Sequence, residues 1–169
     1  RYQQAIAFAE QMKELNDKDA RSYRYLAAIY AEMEEPNQVI SVGMEGLQIN
    51  PTDPNLNYLV GLSYIFVEQP RNAEDFLRNA LLYGSRATDI NLWQGIAAQR
   101  VGDIEKAKKY YQQAIKDMPQ DLRARAMAGM MLADVERCEE AKTFLINVAK
   151  RGANSDPGIQ AALQKCNIQ

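Results

Sequence analysis

Two cysteines, Cys138 and Cys166, and a run of acids, Glu32, Glu34 and Glu35, are the residues of this chain whose types best suit chemistry. Paired carboxylates catalyse when two acids face one another across a cleft with their pKa values held apart. Three acids crowded ahead of Pro36 at a helix end instead have the pattern of solvated surface groups. Asp19, Asp53, Asp89 and Asp121 recur near the starts of predicted helices. A carboxylate there accepts free N–H groups and favours the helix dipole, so helix capping rather than calcium binding is their expected work. Asp103 with Glu105 opens another helix in the same way. The chain has no histidine, which removes the commonest general base and the commonest metal ligand. It also lacks a glycine-rich phosphate loop and an activated nucleophile. The expectation is a protein that is not an enzyme and takes no cofactor and no metal.

The two cysteines are too few and too far apart for a zinc-ligand pattern. Two readings of them stand. They are separate small apolar fillers, or they bond, because Cys138 begins one predicted helix and Cys166 lies near the end of an antiparallel neighbour. A bond would stabilise the C-terminal helix by about 3–4 kcal/mol and would require an oxidising compartment. The compartment is therefore left open, cytoplasmic by default and extracytoplasmic if Cys138 and Cys166 are joined. The chain opens at Arg1 rather than Met, so its N-terminus does not settle the matter.

With a net charge of −2 and a pI near 5.3, the chain has no long-range field for nucleic acid or an anionic membrane surface. Lys106, Lys108 and Lys109 share one predicted helix with Glu105 and read as a solvated outer face. No apolar run approaches the roughly 18 residues of a membrane span. Neither nucleic acid nor a membrane span is expected.

The elements that carry these residues repeat every 34 positions. That step links Ala27, Gly61, Gly95 and Gly129; it links Ala73, Ala107 and Ala141, and Val67, Val101 and Val135. A period of this size marks a solenoid, in which each unit buries its apolar face against its neighbours. Each unit reads as two helices: about Ser22–Met33 and Gln38–Ile49, Pro54–Val67 and Asn72–Tyr83, Thr88–Val101 and Ile104–Met118, Leu122–Val135 and Cys138–Arg151. Breaks fall at Pro36, Pro51, Pro70, Gly84, Gly102 and Gly152. The resulting division is 1–19 as the second helix of a truncated repeat, repeats at 20–53, 54–87, 88–121 and 122–155, and a capping helix in 156–169. Tyr2–Leu15 carries Ile6, Ala9, Met12 and Leu15 as its apolar stripe with no first helix of its own, so further chain is expected upstream of Arg1. Pro157–Asn167, with Gln160, Gln164 and Lys165 on its polar side, has the character of a terminal cap.

Leu26-Ala27 with Tyr30, Val60-Gly61 with Tyr64, and Ala107, Tyr111, Ala114 and Pro119 together resemble the tetratricopeptide repeat family. The resemblance runs over nearly the whole chain. It departs at Val39 and Gly43, which replace a small and an aromatic residue and should pack less well, and at Val148. It implies an all-α, right-handed α-solenoid whose first helices line a concave groove, and it implies an adaptor or scaffold that binds a protein or peptide partner without chemistry of its own. A subset of the family clamps a C-terminal carboxylate. The positions that would carry that clamp hold Arg24, Ala28, Leu59, Leu92 and Ala126, of which only Arg24 has the chemistry.

Helix Pro54–Val67 is apolar almost all round, and such a helix expects cover on every side. With Leu56, Val60, Gly61 and Tyr64 assigned to packing, the remaining face is Tyr58, Leu59, Leu62, Ile65 and Phe66. Leu92, Trp93 and Ile96, then Met127 and Met130, continue it in later units, and Tyr25 in the first, with Arg24, Arg100 and Arg123 at its edges. The expected ligand is an apolar helix or extended peptide carrying some acids for those arginines. The alternative is structural: the groove or the N-terminal end serves self-association in a homo-oligomer, or is covered by further repeats.

Overall fold

The computed structural model describes residues 1–152 and 156–168. The predicted end of the fourth repeat at 155 lies outside them. Among the described residues there are ten α-helices: α1 (Tyr2–Leu15), α2 (Ala20–Glu32), α3 (Pro36–Ile49), α4 (Pro54–Phe66), α5 (Pro70–Leu82), α6 (Ile90–Val101), α7 (Ile104–Asp117), α8 (Arg123–Asp134), α9 (Cys138–Lys150) and α10 (Pro157–Lys165). They form two compact units, Arg1–Ala87 and Thr88–Gln169.

In the first unit α1 packs on α2, α2 on α3 and on α4, α3 on α4, and α4 on α5. Pro36, Pro54 and Pro70 each occupy a first helical turn, where a missing N–H leaves nothing unpaired. Asp19 caps α2 by accepting from the Arg21 N–H, and Asp53 caps α4 by accepting from those of Asn55 and Leu56. Buried Asn57 donates from Nδ2 to the carbonyls of Pro51 and Asp53, tying α4 to the turn that leads into it. Of the stripe expected on α1, Ala9 is buried but Leu15 is 87% exposed. Successive steps of three drift about 60° each round a helix of 3.6 residues per turn. By Leu15 the stripe has turned half way round.

The small residues of the 34-residue step sit against bulky partners. A Cβ on Gly61 would stand 2.9 Å from Leu77. In the first repeat the order is reversed: Ala27 takes the glycine position, Gly43 takes the bulky one, and the Val60 side chain reaches to 2.3 Å from where a Gly43 Cβ would be. Val39 and Gly43 therefore leave no loose spot, because α4 fills it from the next repeat.

In the second unit α6 packs on α7 and α8, α7 on α8, α8 on α9, and α10 on both α8 and α9. Gly95 lies against the Tyr111 ring and Gly129 against Leu145. Tyr111 is wholly buried with its hydroxyl donating to Gln99, and burial pushes its pKa up. Asp103 caps α7 through the Lys106 N–H. Asp89 departs from the capping expectation: it makes no cap hydrogen bond and accepts instead from the Trp93 indole at 2.9 Å. Four charges tie α7 to α9, with Arg137 bridging Glu105 and Glu140 and Lys108 bridging the same two acids.

One turn recurs in both units. Glu34, Glu68 and Glu136 have φ of 57°, 59° and 62°, and Gly102 has 90°. These are again 34 residues apart, and each closes a first helix in the left-handed conformation that glycine adopts without strain.

Candidate protein-binding face

Helix α4 is enclosed by α2, α3 and α5, so most of its apolar circumference is covered. Leu56, Val60 and Ile65 are fully buried, Tyr58, Leu59 and Leu62 are half-buried, and Phe66 is 60% exposed. Ile65 thus belongs to the core and not to an open face. With a helix apolar on all sides, periodicity alone cannot say which stripe its neighbours take.

Beside the uncovered stripe lies a cavity of about 570 Å³. It is lined by Leu59, Leu62, Ser63 and Phe66 of α4, Pro36 and Val39 of α3, and Ala31 of α2 with Glu34 and Glu35 of the following turn. Its lining is apolar apart from the Ser63 hydroxyl and the two carboxylates. Tyr25 is exposed on α2, with the Arg24 guanidinium 5.9 Å from its ring centre.

In the second unit Leu92 is 2% exposed and joins the buried cluster that includes Ala124 and Ala128 of α8. It too leaves the set of groove residues, since α8 packs on α6. Trp93, Ile96, Met127 and Met130 are half-buried. The Asp89 carboxylate fixes Trp93, and Ile96, Met127 and Met130 pack against the core. Met130 runs beneath α10, its sulfur 3.0 Å from where a Cβ on Gly158 would be.

Arg24 and Arg123, both expected to meet an acidic ligand, are paired with acids of their own units. Arg24 lies 3.6 Å from Asp53, and Arg123 lies 2.7 Å from Asp121. Arg100 is exposed at the end of α6. Arg24, the one residue suited to a carboxylate clamp, is thus held by its own unit. Cys138 and Cys166 are joined, with Cα atoms 5.1 Å apart, and the bond pins the end of α10 to the start of α9. Sequence reasoning set Glu34 and Glu35 aside as solvated surface groups, took Pro36 as a helix break, and did not consider Ala31 or Ser63. The signal for the acids was present in the step that places Glu34 and Glu68 where the third repeat has Gly102.

No protein-family model and no curated protein sequence matches the chain. Solved structures do match. YrrB, a TPR protein with an unusual peptide-binding site, is 21% identical with a TM-score of 0.76 over 95% of this chain and 92% of its own. The chain has the tetratricopeptide-repeat fold. MamA from Desulfovibrio magneticus superposes with a TM-score of 0.83 at 15% identity, covering 92% of this chain and 88% of its own. A thermophilic TPR protein of Thermus thermophilus gives 0.65 at 16% identity, over 100% of this chain and 92% of its own. Gly95 faces an aromatic side chain, Tyr111, whereas Gly61 and Gly129 face the aliphatic Leu77 and Leu145.

Proposed function

We propose that this protein is a non-catalytic interaction module, an adaptor, scaffold or assembly factor, that binds an apolar peptide or helix along the faces its first helices present. The observation that carries this reading is the cavity beside Leu59, Leu62 and Phe66. An apolar depression of this size lined by an exposed Phe66 has the character of a recognition surface. Association and ordering costs cancel most of the gross gain from apolar burial, so micromolar affinity is expected. YrrB's peptide-binding site, on the same fold, is consistent with it. The Cys138–Cys166 bond supports an oxidising working compartment.

Self-association is the second reading, and α1 favours it. Tyr2, Phe8 and Leu15 are 47%, 65% and 87% exposed there. One experiment separates the two. A photo-crosslinking amino acid replaces Tyr58 or Phe8 in the full chain, and adducts are identified by mass spectrometry. The interaction-module reading expects a foreign protein captured from Tyr58 and lost when Leu62→Arg fills the cavity. Adducts of the chain with itself from both positions would favour self-association and overturn it.

A further inference from the structure

The charge around the first unit's cavity is one-sided. From Arg24 to Arg71 the chain has no intervening lysine or arginine, while Glu32, Glu34, Glu35, Glu45, Asp53 and Glu68 all fall in that span. Two of these acids are answered from elsewhere in the unit, Glu45 by Lys13 at 2.8 Å and Asp53 by Arg24. Glu32, Glu34, Glu35 and Glu68 have no ion-pair partner among the described residues. Glu34 and Glu35 stand at the cavity itself, and Glu68 lies two residues beyond Phe66. Residues 1–87 hold eight Lys and Arg against twelve Asp and Glu, a net charge of −4, whereas the whole chain is only −2.

We infer that the first unit's cavity takes an apolar side chain of a partner peptide whose neighbouring residues are lysine or arginine. The inference rests on the interaction-module reading and names its ligand chemistry. The cavity supplies an uncharged wall for one aliphatic or aromatic side chain, and the carboxylates at its mouth lie where flanking residues of an extended peptide would pass. Like charges there reject acidic flanks, so the acids act on specificity and approach rate more than on raw affinity. This reverses the acidic ligand expected from Arg24, Arg100 and Arg123.

The test is an NMR titration of the isotopically labelled full chain with two synthetic decapeptides. Both carry Phe-Leu at their centre within Gly-Ser, one flanked by two lysines and the other by two glutamates. The expected result is shifts at Ala31, Leu62 and Phe66 with the lysine peptide, about fivefold weaker binding of the glutamate peptide, and loss of that preference at 1 M salt. Ala31→Trp, a plug at an exposed position, should abolish the shifts. Glu34→Lys with Glu35→Lys should invert the preference while leaving the thermal melt near wild type. Equal binding of both peptides, or shifts confined to residues 88–168, would overturn the basic-ligand inference and leave the interaction-module reading standing. Shifts at the cavity that grow with protein concentration alone would assign it to a second copy and overturn both. No shift with either peptide would overturn the inference, and the crosslinking result would then judge the broader reading by itself.

Discussion

Gly95 shows how one residue sets the distance between two helices. A Cβ there would stand 2.5 Å from the Tyr111 ring, which is buried and bonded at its hydroxyl to Gln99. A rigid ring cannot step aside, so Gly95→Ala should cost about 1–3 kcal/mol in urea denaturation. Ala27 occupies the same step of the repeat without strain because its opposite number is Gly43. An unchanged urea midpoint for Gly95→Ala would contradict this packing. The turn at Glu136 behaves oppositely. Its φ of 62° is one that glycine takes freely, as Gly102 does one repeat earlier. Relief of about 1–2 kcal/mol of left-handed strain, less the unfolded-state entropy that glycine adds, should make Glu136→Gly more stable by about 0.5–1 kcal/mol, read as a higher melting temperature. A glutamate carries no mark of a left-handed turn, which is why this conformation was not legible from residue types. The small residues were legible, since nothing larger fits where two helices touch.

Helix α9 is tied down at both its charged face and its N-terminal end. Arg137 and then Lys108 hold the Glu140 carboxyl at a pKa of about 2, below its ordinary 4.5. A depressed carboxylate adds stability above its unfolded pKa and loses it as pH falls through the folded one. The loss attributable to this network should accordingly fall between about pH 4.5 and about pH 2. Glu140→Gln should narrow that acid loss and should matter less in 1 M salt, because the pair is solvent-exposed. Urea midpoints at pH 6 and pH 2.5 for both proteins check it; equal drops would contradict the network's role. The Cys138–Cys166 bond closes 28 residues of sequence separation. Its removal should cost about 3–4 kcal/mol on the chain-entropy account. Reduction should speed amide exchange in α10 while leaving α6 and α7 unchanged, and native protein should show no free thiol. Two free thiols before reduction would overturn the bond. The 34-residue period left the pairing open, because it places helices but does not choose between bonded and separate cysteines.

At the scale of the whole molecule, the helix–turn–helix repeats were legible because period, prolines and small residues agree, and the exposure of the candidate face was legible only in part. Tyr58, Leu59, Leu62 and Phe66 do form a partly open stripe, whereas Ile65 and Leu92 are buried by neighbouring helices. Hydrophobicity marks what wants cover, and packing decides what receives it. The acids at the cavity, Glu34 and Glu35, were read as solvated surface because a cluster of acids at a helix end has that pattern, and sequence alone does not show the cavity beside them. Light scattering across a dilution series should show a monomer if the face is open for a foreign partner, and a persistent dimer if copies cover it. The central claim is that the apolar face of the first unit is where a partner binds. Calorimetric titration of the partner captured at Tyr58 into wild type, Tyr58→Ala and Lys109→Ala tests it most directly. The account predicts that Tyr58→Ala weakens binding about tenfold or more with the fold intact, while Lys109→Ala, an exposed change on α7, binds as wild type. Wild-type affinity in Tyr58→Ala would contradict it.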